Sequence, residues 1–251
     1  MRLSGPLESA ALLTVLPVPA RAAGATRGVL PWAPLVGLVL GGIASGLAVL
    51  GDRWISPLAG AVLAVAVLAA LTRGLHLDGL ADTADGLGPL RGRQRALQVM
   101  HQSDIGPFGV VTVVLTLLLQ VACLTALLET REGWPALWAA VVVARLAMAR
   151  TGLPGVATAE GSALGTLVAG TVSVPWFVGW IVVVLGLLVA GTAADLELTA
   201  RLAISALAGL LTAELLYRRA RRRLGGVTGD VMGAMGETAT TATLLVGAIA
   251  L

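Results

Sequence analysis

Residues 107–128 read PFGVVTVVLTLLLQVACLTALL, an uncharged apolar run that opens after Gly106 and closes at Glu129. A hydrocarbon core about 30 Å thick is crossed by about 20 apolar residues of helix, so this run has the length of one membrane crossing. Comparable runs occur at roughly 32–50, 57–72, 134–150, 174–192, 199–216 and 237–251. The expected fold class is therefore all-α: a polytopic integral membrane protein of about seven transmembrane helices, with 1–251 forming a single membrane domain. Residues 1–31 have room for a short interfacial helix before the first span.

Composition agrees. Hydrophobic residues make up 57% of the 251 positions and charged residues 12%, too few charges to cover a soluble sphere. The basic residues are all arginine, and no basic stripe carries the interleaved aromatics that stack bases, so nucleic acid is not an expected partner. Cys123 is the only cysteine, which excludes a disulfide framework and a Cys-based metal site. It reads as a small buried hydrophobe. The stretch Ala10 to Leu16 before Ala22-Ala23 faintly resembles a secretory signal, but Glu8, Pro17 and Pro19 interrupt it.

The arginines choose an orientation, because cytoplasmic loops carry the excess of positive charge. With the N-terminus inside, Arg2, Arg21, Arg27, Arg73, Arg91, Arg93, Arg95, Arg218, Arg219, Arg221, Arg222 and Arg223 are cytoplasmic. Arg53, Arg131 and Arg201 then fall outside, beside Asp52, Glu129, Glu132, Asp195 and Glu197. Four spans separate loop 73–106 from loop 217–236, so both lie on the cytoplasmic side. Glu214 and Arg145 fall inside predicted spans near their cytoplasmic ends, where snorkelling would accommodate them.

Loop 73–106 carries the chemistry. In Arg73-Gly74-Leu75-His76-Leu77-Asp78-Gly79-Leu80-Ala81-Asp82-Thr83-Ala84-Asp85-Gly86, a helix would place Asp78, Asp82 and Asp85 on one face at i, i+4 and i+7. Three like charges on one stripe call for a cation, and carboxylate oxygens suit Mg²⁺ or Mn²⁺. The bland alternative is a solvated acidic face at a helix start. An EF-hand calcium loop fits badly, since the alternating ligands and distal Glu are missing. His76 reads as metal ligand, proton shuttle or capping residue. Arg91, Arg93 and Arg95 are candidates for phosphate oxygens or for anionic lipid, and Asp104 is a candidate fourth carboxylate.

The second loop contains Gly225-Gly226-Val227-Thr228-Gly229-Asp230-Val231-Met232-Gly233-Ala234-Met235-Gly236-Glu237, which reads as too polar and glycine-rich for a membrane core. Its amides, with Gly229, Thr228 and Asp230, are candidates to cradle a phosphate. The rival reading is close helix packing through Gly226, Gly229, Gly233 and Gly236. Packing does not explain Asp230 and Glu237, since acids at the membrane edge are costly without a partner.

Two stretches, Gly74 to Gly86 and Leu224-Gly225-Gly226-Val227-Thr228-Gly229-Asp230 followed by Gly233-Ala234, resemble the signatures of the cobalamin synthase family, the adenosylcobinamide-GDP ribazoletransferases. Their order, separation and hydropathy context extend the resemblance over nearly the whole chain. It implies a bacterial cytoplasmic (inner) membrane enzyme whose active site faces the cytoplasm. In the implied reaction α-ribazole or its 5′-phosphate attacks the phosphate on the cobinamide arm of adenosylcobinamide-GDP. GMP leaves, and adenosylcobalamin or its phosphate forms. It also implies Mg²⁺ as cofactor, with Asp78, Asp82, Asp85 and Asp104 as candidate ligands. Asp82, Asp85 and His76 are the implied catalytic residues, and Arg91, Arg95, Thr228, Gly229 and Asp230 the implied substrate contacts. Which aspartate is ligand and which base stays open. So does association with a second copy or with other enzymes of the pathway. Trp32 and Trp176 are candidates for the corrin or for interfacial anchoring.

Three stretches depart from the family pattern. Thr14-Val15-Leu16-Pro17-Val18 lacks the family's arginine, His101-Gln102-Ser103 replaces Lys-Asp-Ser before Asp104, and Pro154 to Gly165 keeps only Glu160 and Gly161 of its segment. Other classes fit less well. CDP-alcohol-type phosphotransferases space their aspartates differently. A transporter would put acids at mid-span with repeated halves, and a non-catalytic scaffold has no need of clustered aspartates.

Overall fold

In the computed structural model, residues 4–19, 24, 26–88, 91–130, 132–193 and 195–249 are described. The sequence readings on Arg2, Arg21, Ala22, Ala23 and Arg131 lie outside them. The described chain runs α1 (Gly5–Leu13), α2 (Val29–Trp54), α3 (Pro57–Leu71), α4 (Leu75–Leu87), α5 (Arg93–Met100), α6 (Pro107–Glu129), α7 (Gly133–Ala149), α8 (Ala163–Val168), α9 (Val174–Gly191), α10 (Leu196–Leu224) and α11 (Gly229–Ile249). The fold is all-helical, as expected. Helix starts follow local chemistry: Ser56, Ser173 and Asp195 each accept a backbone N–H of the first turn of α3, α9 and α10, which satisfies an otherwise orphaned donor.

The apolar surface is turned outward. Leu115, Leu118, Val182, Ile204 and Leu215 are each more than half exposed, an arrangement that favours lipid over water as the surrounding medium. Helices α2, α6, α9 and α10 are long and apolar enough to cross a membrane. The helices α3 and α4 qualify only as one pair bent by 87°, so by length and composition four crossings are supported, or five with that pair. The remaining runs form the interior. Of the 17 residues of α7, 15 are buried, and α11 buries its own small-residue face.

The bend between α3 and α4 corrects the expectation of a plain span over 57–72. Arg73 (φ 57°) and Gly74 (φ 67°) are consecutive left-handed residues, which no α-helix accommodates. Thr72 Oγ1 donates back to the Leu68 carbonyl to close α3, and Arg73 Nη2 donates to the Leu12 carbonyl 3.0 Å away, tying the turn to α1. After the turn, α4 runs across one end of the bundle. The second correction concerns 217–236, read as a loop. Residues up to Leu224 continue α10, which ends at Gly225 (φ 88°), and α11 begins at Gly229, eight residues before the expected last span. Three glycines and two methionines let these turns pack inside the bundle despite their low apolarity.

Candidate acidic site at one end of the bundle

The two sequence signatures meet. A methyl group on Gly79 of α4 would lie 2.7 Å from the Asp230 carbonyl oxygen, and one on Gly233 of α11 would lie 3.1 Å from the His76 Cα. The glycines therefore act by absence of a side chain, letting α4 and α11 touch backbone to backbone. Packing and site formation, rivals in the sequence, are one device here. The Thr228 hydroxyl accepts the Val231 amide at 3.1 Å and donates to Asp230 Oδ2 at 3.2 Å. It thus caps α11 and aims the Asp230 carboxylate. Val227 pairs in parallel with Thr158, with Ala159 N donating to the Val227 carbonyl at 3.1 Å. The stretch around Glu160 and Gly161 is thereby bound to the α11 start.

Beside this junction lies a cavity of about 370 Å³ whose polar lining includes His76, His101, Ser162, Thr228, Gly229 and Asp230. Its apolar wall comes partly from Leu12, Leu13 and Leu30, so α1 closes the site. The amides of Gly229 and Asp230 lie at a helix start, a position that favours anions.

The α4 aspartates divide by exposure. Asp78 is exposed, Asp82 half-buried and Asp85 buried. The Asp82 carboxyl, on a helix of 13 residues that is too short to cross a membrane, is pushed up to about 7. Burial is the main cause, followed by the charges of Asp78, Asp230 and Asp85, against which His101 acts weakly. Asp82 is thus surrounded by carboxylates from both helices. Asp85 is spoken for: its Oδ2 accepts Gly106 N at 2.8 Å and its Oδ1 accepts Gly109 N at 3.0 Å, the position of a cap on α6. Asp78 borders a shallow groove with Arg73 and Ile105, and Asp104 is exposed in the turn before α6.

The predicted arginines stay on the surface. Arg91 and Arg95 are exposed. Arg95 Nη1 reaches Gln98 Oε1 at 3.4 Å and the Arg91 carbonyl accepts from Arg223. Three other residues were given no part in the site by the sequence reading. His101 lies among the acids, and its signal was that the chain has only two histidines. Arg219 donates to the Leu87 carbonyl at 3.2 Å and fixes the end of α4. Arg145 does not snorkel, contrary to expectation: it is 4% exposed at the bundle interior. Glu214 instead pairs with Arg150 at 2.8 Å and Arg218 at 2.9 Å.

The donor set fits a hard divalent cation. Crowded carboxylates raise one another's proton affinity and are relieved by a metal. Among the described residues no three His, Cys, Asp or Glu side chains converge closely enough to hold a metal by themselves. Substrate phosphate oxygens would complete the shell, the usual manner of Mg²⁺.

Apolar exterior, spanning helices and an acidic end define a multi-pass membrane protein with carboxylates gathered at one end of its bundle. The chain belongs to the cobalamin-5-phosphate synthase family, whose model matches residues 6–248. It is 38% identical to the adenosylcobinamide-GDP ribazoletransferase of Frankia casuarinae over 95% of this chain and 92% of the relative. With the enzyme of the same name from Nocardioides sp. it shares 40% identity over 93% of each chain. With that of Chlorobaculum tepidum the identity is 34%, over 98% and 96%. No solved structure matches the chain.

Proposed function

We infer that this chain catalyses the joining of adenosylcobinamide-GDP to α-ribazole, or to α-ribazole 5′-phosphate, with release of GMP, at the end of cobalamin biosynthesis. The observation that carries this reading is the contact of Gly79 with Asp230, which brings the acidic helix against the start of α11. Family membership over nearly the full chain supports the substrate pair.

In this reading the phosphates of adenosylcobinamide-GDP lie at the N-terminus of α11, against the amides of Gly229 and Asp230 and beside Thr228. The hydroxyl oxygen of the ribazole attacks the phosphorus on the cobinamide arm, the bond from that phosphorus to the bridging oxygen breaks, and the departing electrons leave on GMP. The hydroxyl proton passes to a carboxylate oxygen of Asp82, whose raised proton affinity suits a base near neutral pH. Asp78 and Asp230 would hold Mg²⁺ together with phosphate oxygens of the substrate, and the bound ion would neutralise the charge that builds on the leaving phosphate. Asp85 holds the end of α6 under α4 and so orients the carboxylates, and Asp104 stands at the rim. The apolar wall from α1 limits water at the attacked phosphorus.

The acidic end faces the cytoplasm and the bundle lies in the bacterial inner membrane. Support comes from the arginines at that end, among them Arg73, Arg91, Arg95, Arg150 and Arg219, set against Arg53 and the Arg201–Glu132 pair at the other. Purified protein given adenosylcobinamide-GDP and α-ribazole, with and without Mg²⁺, tests the reading by GMP release. Absence of GMP with Mg²⁺ and with Mn²⁺ alike would overturn it.

A further inference from the structure

Next to the acidic site, α3, α4, α6, α7 and α11 line a second cavity of about 30 Å³, bordered in part by His76, Gln120, Arg145, Glu237 and Thr240. His76 walls this cavity and the larger one above it. Two buried nitrogens at this place, His76 Nε2 and Arg145 Nε, have no hydrogen-bond partner among the described residues. His76 is 2% exposed and Arg145 4%.

A guanidinium inside a membrane bundle is costly unless a charge or polar group answers it. Arg145 and Glu237 interact electrostatically, and so do Arg145 and His76. Gln120 Nε2 donates to Glu237 Oε2 at 2.9 Å and to Thr241 Oγ1 at 3.0 Å. Arg145 and Glu237 both line the cavity, and among the described residues they form no direct ion pair. A space of this size holds one or two waters, and the site offers the two to four polar partners a buried water requires. The arrangement is also built into the backbone packing: Gly37 of α2 lies over the Arg145 stem, where an added methyl would come within 3.2 Å of its Cβ and Cγ.

We propose that Arg145 and Glu237 are positioning residues for the transfer site, linked through water in this inner cavity to His76, and that this linkage holds α4 in register against α11. The C-terminal half of α4 is held by Asp85 and Arg219, whereas its first turns meet α11 through the bare glycine contact at Gly79 and Gly233, where packed small residues have no hydrophobic drive. His76 then acts from below the site as the anchor of α4, which accounts for a histidine two residues before Asp78 yet enclosed in protein.

The proposal rests on the ribazoletransferase reading, so the wild-type protein must release GMP before the variants are judged. If it does not, the reading fails, and this inference is then decided by exchange alone. The variants are Glu237→Gln, which keeps shape and the Gln120 contact while removing charge, and the double variant Arg145→Met with Glu237→Met. Replacing a buried charge pair by apolar groups is often neutral for stability, so an unchanged melting temperature is expected for the double variant. For both we expect kcat at least about tenfold lower, KM for either substrate within about twofold, and faster hydrogen exchange at the amides of residues 75–87 but not of α9. Wild-type kcat together with wild-type exchange over 75–87 in Glu237→Gln overturns the proposal, even if the double variant fails to fold. A loss confined to melting temperature, with kcat per folded molecule kept, overturns it as well.

Discussion

The Gly79 Cα faces the Asp230 backbone so closely that a methyl group there would sit 2.7 Å from its carbonyl oxygen and 2.8 Å from its Cα. Neither atom is the tip of a flexible side chain, so α4 and α11 must part to admit it. Gly79→Ala is expected to cost about 1–3 kcal/mol from overpacking and to lower kcat about tenfold or more, read as GMP release per folded molecule. Gly42→Ala is the control, since nothing lies within 4 Å of its added methyl. That variant should keep full activity and melt slightly higher, because alanine favours helix over glycine by about 1 kcal/mol.

Asp82 gives a pH signature with a definite sign. Its folded-state value of about 7 lies above the ordinary carboxyl value of 3.8, so between those limits the folded state binds more protons than the unfolded one. Stability therefore falls as pH rises from about 4 to about 7, the reverse of a salt-bridged carboxylate. Asp82→Asn removes this dependence. It should melt at or above wild type at pH 8 and lose the downward slope, while GMP release falls by about a hundredfold or more. Melting curves at pH 5 and pH 8 with and without Mg²⁺ check the physics apart from catalysis. A slope unchanged by Asp82→Asn would refute the crowding of carboxylates.

Asp85 behaves differently because both of its oxygens accept backbone amides, from Gly106 and Gly109. Loss of a side-chain cap costs about 0.5–2 kcal/mol. Asp85→Ala is therefore expected to lower the melting temperature at every pH from 6 to 8, by a few degrees at about 2–4 °C per kcal/mol. Asp85→Asn, which keeps one acceptor oxygen, should lie between it and wild type. If Asp85 served only as a metal ligand, neither change would lower the melting temperature in the presence of a chelator.

Much of this was legible in the residues. Apolar run length located α2, α6, α9 and α10, because lipid-facing helices are selected for little else. The i, i+4, i+7 spacing placed Asp78, Asp82 and Asp85 on one face because α4 is a helix throughout. The left-handed pair Arg73-Gly74 was not legible, since arginine gives no local signal for positive φ. The helical start of α11 was missed because Gly229, Gly233 and Gly236 weaken propensity. What fixes them in a helix is tertiary contact with His76 and Met148. The surroundings of Arg145 could not be read for a similar reason: Gln120 and Glu237, which line the same cavity, lie on other helices, brought in by packing that no short-range pattern encodes.

The direction in which the acidic end faces can be measured without any substrate. Ser103 is exposed in the turn between α5 and α6, and Glu197 is exposed at the start of α10 at the opposite end. Cys123, the only native thiol, is buried and is first replaced by alanine. In that background a membrane-impermeant maleimide should label Ser103→Cys in inverted vesicles and not in right-side-out ones, with Glu197→Cys showing the opposite pattern. Arg91, Arg93, Arg95, Arg221 and Arg222 lie at the Ser103 end, and moving that many guanidinium groups across the bilayer during insertion is opposed. Labelling of Ser103→Cys from the outside would place the aspartates away from the cytoplasm and remove GMP-linked chemistry from the side where the nucleotide is made.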